Sequence, residues 1–302
     1  MKSKKDLSSN ISRIERPYLT INSEYQELLE SAPFHSFESI WNFSNGEIIK
    51  QIKARSVIRF EIRHHDIKRT FYIKRHNSEF IGLSRLFPRF FSRCSLSQGR
   101  LEFENICDFR KNNLPTVIPV AAGEKFSHFF WARSFLITED FSPFISLEAL
   151  LENQPQLFSD PKGENRKQIL LKEVAVLARR MHQNGFNHRD FNATHILLNY
   201  NNGSDIPQIA LFDFQRVEKR KYFRLRWKIK SIARLNYTLP DKIFNIKDRI
   251  YILLSYKDKK SFNFIDRMQW FWIERKTAKI KRHTEKMIDR KAERKKKGLL
   301  GK

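Results

Sequence analysis

Glycine is scarce in this chain. Nine occur in 302 residues, and Gly46 stands alone in the first 81. No Gly-x-Gly-x-x-Gly loop is therefore available in that stretch to cradle a phosphate. Cysteine is scarcer still. Cys94 and Cys107 have no metal-ligand spacing and form no disulfide framework, which implies a reducing compartment. No run of 18 apolar residues occurs, so no transmembrane helix is expected. The first 16 residues are charged and polar and lack the apolar stretch of a signal peptide, so a chain in the cytosol or lying on a membrane is expected. Acidic residues are few: 33 Asp and Glu against 58 Lys and Arg leave a net charge of +25. Such an excess points to an anionic partner, whether nucleic acid, a membrane surface or a phosphorylated ligand, and does not choose among them.

What the chain does have is core. Hydrophobic residues make up 40% and aromatics 13%, with 27 Phe, enough for one two-lobed domain or two small ones. Residues 56–62 and 70–74 are β-rich and partly alternating, with a turn at 63–66 between them, and read as an antiparallel hairpin. Residues 81–97 are Phe- and Arg-rich and irregular, and a helix follows over 98–111. Strands are expected at 115–120 and 134–139, and a helix capped by Ser146 thereafter. The clearest helix covers 164–184, with Ile169, Leu170, Val174, Leu177 and Met181 on one face and Gly185 as its stop. Two short strands follow, at 195–199 and 208–214, with a turn at 201–203, and from Arg226 the pattern is helical to the end. This order of β-rich then helical segments gives an α+β chain and does not fit a βαβ nucleotide-binding sheet.

The chemistry centres on His188-Arg189-Asp190, placed between the long helix and the strand pair. A carboxylate there can orient an acceptor hydroxyl and take its proton, which makes Asp190 the candidate catalytic base. Asp213 closes the apolar strand Leu211-Phe212 and can hold a magnesium ion that bridges nucleotide phosphates. Lys74, at the end of Phe71-Tyr72-Ile73, can address phosphates as a point charge, and Glu102 on the next helix can pair with it. Each of these residues alone has a plainer reading as a solvated surface group. Their order and spacing together carry the weight.

These residues resemble the lipopolysaccharide core kinases, the Kdo and heptose kinases of Gram-negative bacteria. That family shows His-Arg-Asp followed five residues on by His and an apolar run, here Asp190, His195 and Ile196-Leu197-Leu198. It also carries Arg after the metal-binding Asp, here Asp213-Phe214-Gln215-Arg216. The resemblance covers residues 45–257 and is most specific over 186–216. It implies a protein-kinase-like fold with a β-rich nucleotide-binding lobe (39–141), a helical catalytic and acceptor-binding lobe (142–274), a basic N-terminal arm (1–38) and a basic helical tail (275–302). It implies ATP and Mg2+ as cofactors, with Lys74, Glu102, His195 and Asp213 on the nucleotide side. It implies a lipopolysaccharide precursor, Kdo-lipid A or core heptose, as acceptor, met at the cytoplasmic face of the inner membrane. Three roles stand open for His195: a second metal ligand beside Asp213, a hydrogen-bond partner of Asp213 or a phosphate, or a core histidine. Arg216 and Arg226 are named as acceptor contacts.

The sequence departs from the family in two places. Where the family has Lys-Asp after the catalytic segment, this chain has Lys230-Ser231, so a weaker brace on the catalytic loop is expected. Phosphate cover has to come from residues 51–56 without a glycine loop. The tail from Arg275 carries 13 Lys or Arg against three acids, a net of +10, with Trp270, Phe271 and Trp272 at its root. A basic helix so rooted suits an anionic membrane surface, and no nucleic-acid motif accompanies the charge. Two other readings remain: a kinase acting on protein or small molecules, and a pseudokinase that binds anionic partners through its basic face.

Overall fold

A computed structural model describes residues 17–64, 67–81, 96–128, 130–159, 162–200, 204–219 and 224–296. Cys94, the turn expected at 201–203 and the last two residues of the turn expected at 63–66 lie outside these residues, and Arg63 and His64 belong to a strand. The chain divides into two compact units: residues 1–108 with 117–141, and residues 109–116 with 142–302.

The first unit is built on an antiparallel six-stranded sheet in the order β1-β5-β6-β4-β3-β2. Its strands are β1 (Tyr18–Ile21), β2 (Glu47–Ile52), β3 (Arg55–His64), β4 (Ile67–Phe80), β5 (Pro119–His128) and β6 (Trp131–Glu139). Two short helices precede β2, α1 (Gln26–Glu30) and α2 (Phe37–Asn42), and α3 (Gln98–Lys111) follows β4. Alternation along the strands turns Ile58, Phe60, Phe71, Ile73, Phe135 and Ile137 inward, where they bury together with Leu29, Phe34, Phe37 and Ile40. Of the arm expected over 1–38, residues 1–16 lie outside the described residues, and the rest is corrected here. From Tyr18 the chain is a strand paired with β5, and the helices after it fill the same core. Their apolar residues were legible, but what they would pack against was not. Arg75 ties α2 down: its Nη2 donates to the carbonyls of Ile40 (3.1 Å) and Phe43 near the C-terminal end of that helix. The strand expected at 115–120 instead begins at Pro119 and runs on to His128, because its partner β6 is longer than the apolar run suggested.

The second unit opens with β7 (Ile145–Ser146) and α4 (Leu147–Asn153), where Ser146 Oγ accepts from the Ala149 N–H (3.1 Å), the expected cap. Helix α5 (Gly163–Gln183) carries the buried stripe Leu170, Val174, Leu177 and Met181. After it come β8 (Phe186–His188), β9 (Ile196–Asn199), β10 (Gln208–Leu211) and β11 (Val217–Lys219). Three helices complete the unit: α6 (Arg224–Thr238), α7 (Ile246–Lys257) and α8 (Phe264–Lys296). The tail expected from 275 is thus the continuation of a helix that starts at Phe264, and Thr277 Oγ1 donates to the Ala233 carbonyl of α6 (3.2 Å). Among the described residues, no helix is long and apolar enough to cross a membrane.

Candidate active site

In the second unit the site begins where α5 stops. Gly185 takes a left-handed backbone (φ +79), and the chain turns straight into β8 and the loop that carries Asp190. His188 is fully buried at the root of this loop. Its Nδ1 accepts from the Asp190 main-chain N–H (3.2 Å), so its Nε2 bears the hydrogen and donates to the Phe212 carbonyl (3.1 Å). Burial pushes this imidazole down to about 4, which keeps it neutral near pH 7, as one accepting and one donating nitrogen require. His188 therefore latches the main chain of the Asp190 loop to the strand end that leads into Asp213.

Two strand registers bring in the other groups. β11 runs antiparallel to β8 with Val217 opposite His188, so the residue before Val217 meets the residues after His188. Arg216 Nη1 accordingly lies 3.1 and 3.0 Å from the two carboxylate oxygens of Asp190. β10 pairs with β9 with Leu211 opposite Ile196, and the Phe212 N–H donates to the His195 carbonyl (3.2 Å). The next residue, Asp213, then stands beside the His195 ring, Oδ2 3.5 Å from Nε2. Asp213 occupies the left-handed region (φ +62), which Asp tolerates better than most residues.

His195 has an acceptor on each side. Its Nδ1 is 2.9 Å from the Asp190 carbonyl oxygen, which can only accept, so Nδ1 carries a hydrogen. Nε2 then meets Asp213 in one of two ways: as the second N–H of an imidazolium, or as a lone pair converging with the carboxylate on a cation. Among the described residues, no cluster of three or more His, Cys, Asp or Glu surrounds a point. The donor set at Asp213 is one carboxylate with one imidazole beside it. A single carboxylate suits magnesium, which keeps waters and takes further oxygens from nucleotide phosphates; the imidazole is its less usual neighbour.

Helix α6 supplies the remaining side. Arg234 Nη1 donates to the Arg189 carbonyl and to Asp190 Oδ1. Thr238 Oγ1 accepts from the Ala193 N–H (3.0 Å). Ser231, one turn before Arg234, points elsewhere: its hydroxyl is 3.2 Å from Nε2 of buried His182, whose Nδ1 meets the Tyr256 hydroxyl at 3.1 Å. The loop is braced by Arg234 and Thr238, neither of which the sequence reading named. They share a helix face with Ser231 at spacings of three and four, but a spacing does not say what a face looks at. Arg189 pairs with Glu218, and Arg226, expected at the acceptor, stands 5.9 Å from the centre of the Trp227 ring.

In the first unit Lys74 of β4 and Glu102 of α3 form the anticipated pair, Nζ to Oε2 2.8 Å, with side chains 16% and 5% exposed. Helix α3 is set tightly against the sheet. A Cβ on Gly99 would stand 2.6 Å from the Phe135 carbonyl oxygen. The first N–H groups of α3 are taken by sheet side chains: Gln98 donates to Glu79 (2.6 Å) and Gly99 to Ser134 (3.0 Å). Burial, with Glu124 adding to it, pushes the Glu79 carboxyl up to about 7.

Residues 39–261 match the lipopolysaccharide kinase (Kdo/WaaP) family. The chain is 28% identical over 209 residues to the lipopolysaccharide core heptose(I) kinase WaaP of Escherichia coli, covering 68% of this chain and 74% of that one. It is 24% identical over 253 residues to the WaaP of Pseudomonas aeruginosa, covering 82% and 90%. Among solved structures it is similar to WaaP in complex with acyl carrier protein, with a TM-score of 0.64, 23% identity, and 87% and 98% of the two chains covered. The α+β, protein-kinase-like fold expected from the sequence is the fold found.

Proposed function

This chain belongs to the lipopolysaccharide kinase (Kdo/WaaP) family, and from that premise we propose that it transfers the γ-phosphoryl group of ATP to a hydroxyl of an inner-core heptose. The observation that carries the reading is the Asp190 loop, latched by His188, braced by Arg234 and joined by Arg216, with Asp213 and His195 one strand away. Heptose is preferred to Kdo because both relatives above are named heptose(I) kinases.

In the proposed step the acceptor oxygen attacks the γ-phosphorus. The new O–P bond forms as the bond to the ADP oxygen breaks, and the hydroxyl proton passes to Asp190 and on to solvent. The step asks more for orientation than for basicity, since phosphoryl transfer runs mainly on positioning and charge stabilisation. Lys74, fixed by Glu102, supplies a charge for the nucleotide phosphates. A magnesium ion, held by Asp213 with His195 alongside, would neutralise the charge on those phosphate oxygens.

We place the reaction at an anionic membrane surface. Phe264, Ile265, Met268, Phe271 and Trp272 are all exposed and recur along one arc of α8. Arg275, Arg282 and Lys286 continue the same arc in the helix, and an apolar stripe followed by a basic one is the pattern of a helix lying in a headgroup layer.

The test is transfer from labelled ATP to purified heptosylated lipid A precursor, with Asp190→Ala as control. Label in the heptose region that is lost in the variant supports the reading. Label in added protein but not in glycolipid, or ATP binding with no transfer to any acceptor, overturns it.

A further inference from the structure

Beside Asp190 the second unit holds a pocket of about 270 Å³ lined by cations, among them Arg189, Arg216, Lys230, Arg234 and Lys276, with Trp227 in its wall and, among the described residues, no acidic side chain lining it. A second hollow of about 420 Å³ shares Arg234 and Lys276 with it, and includes Asp190 itself. Three of the five cations are already engaged: Arg189 by Glu218, and Arg216 and Arg234 by Asp190. Lys230 and Lys276 have no carboxylate within 4.0 Å among the described residues. Lys230 stands 4.3 Å over the Trp227 ring instead. Both ammonium groups are half-buried and held below the usual lysine range, first by burial and then by neighbouring cations, Arg226 and Arg234 among them. Two ammonium groups side by side in a concave site, with the nearby carboxylates engaged by arginines, favour an anion there. Lys276 belongs to α8, the helix that the sequence presented only as a membrane-facing tail.

We propose that Lys230 and Lys276 bind an acidic substituent, a carboxylate or a phosphate, carried by the acceptor next to the hydroxyl that Asp190 orients. This rests on the sugar-kinase reading above and adds to it the charge that the acceptor has to carry. The acid so held sets which hydroxyl is presented, making the two lysines specificity determinants rather than catalytic residues.

The experiment uses the full chain and its Lys230→Gln/Lys276→Gln form. Three acceptors of the same core fragment are compared: one with its sugar carboxylates intact, one with them reduced to alcohols, and one bearing a phosphate in their place. The wild type is expected to favour an acidic acceptor over the reduced one by about 10- to 100-fold in kcat/KM, the scale of a lost charge-assisted contact. The double variant is expected to lose that preference, using the acidic and reduced acceptors with the same kcat/KM. Whichever acid restores the preference names its source. Equal use of all three by the wild type, or an undiminished preference in the double variant, overturns the proposal while leaving the kinase reading standing. If no acceptor is phosphorylated, the kinase reading fails, and calorimetric binding of the acidic and reduced fragments decides the pocket by itself. Binding of the acidic fragment that is lost in the double variant supports the pocket, and equal or absent binding of both fragments overturns it.

Discussion

Arg234 donates from one guanidinium nitrogen to both the main-chain carbonyl of Arg189 and the carboxylate of Asp190. The contact fixes backbone and side chain of the loop at once. Arg234→Ala should lower kcat by about 100-fold or more, since a displacement of about 1 Å at a positioned group costs that much. Arg234→Lys keeps the charge but loses the fixed N–H directions of the planar guanidinium and should recover only part of the rate. Steady-state kinetics beside a thermal melt checks this, and a near-normal kcat in the alanine variant would remove Arg234 from the brace.

Ser231 stands where relatives are expected to brace the loop, yet its hydroxyl meets buried His182. Ser231→Ala should therefore cost stability, about 1 kcal/mol for a lost buried hydrogen bond, and leave kcat within about threefold. Denaturant unfolding and kinetics on one preparation separate the two effects. A large fall in kcat with unchanged stability would return the bracing role to Ser231.

Lys74 and Glu102 form a shielded pair, so removing one member takes a counter-charge 2.8 Å away from the other. Lys74→Ala should destabilise the protein by roughly 2–4 kcal/mol, near the range for breaking a buried ion pair. Replacing both with Met and Leu should restore much of that stability and none of the activity. Recovery of phosphoryl transfer in the double variant would show that the pair is structural only.

Glu79 gives a dependence on pH. Its carboxyl is pushed up to about 7 from an ordinary value near 4.5, so the folded state holds a proton that the unfolded chain has released. The group's contribution is fully present below about pH 4.5 and is lost as pH rises towards 7, roughly 3 kcal/mol in all. Glu79→Gln should abolish this slope between 4.5 and 7 and come out more stable than the wild type at pH 8. Unfolding free energies at several pH values, wild type minus variant, measure it. A flat difference would refute the assignment.

The exposed stripe on α8 predicts association with vesicles containing anionic lipid. Phe264→Ala/Phe271→Ala/Trp272→Ala should weaken sedimentation with them at every ionic strength, whereas the basic arc should make wild-type binding fall as salt rises. Equal sedimentation of wild type and triple variant would remove the stripe from the membrane proposal.

The fold class and the principal candidate residues were legible because they sit at element ends with local signals: a lysine ending a strand, an aspartate after a stopped helix, another after an apolar strand. The boundaries of α3 and the cap at Ser146 were legible for the same reason. Tyr18 to Glu38 reads as part of an arm because short elements carry little periodicity and gain their burial only from β5 and the sheet core. Arg234, Thr238 and Lys276 were missed because each reaches the Asp190 loop or its pocket from a helix far along the chain, and a basic residue on a helix looks solvated until its neighbour is known. Ser231 misled in the opposite direction, since position in a motif suggested a role that its side chain does not perform.

Helix α8 presents opposite sides to different surroundings, buried Ile273 and Thr277, which meets α6, inward and Phe264, Phe271 and Trp272 outward. A helix with its side chains is about 10–12 Å thick. If the outward stripe lies in the headgroups, that thickness becomes a ruler: the reactive carboxylate is held at a set height above the lipid. Sugars close to the lipid anchor then fall within reach, and those further out along the same glycan do not. Selection among chemically similar hydroxyls would then follow in part from elevation rather than from contacts alone.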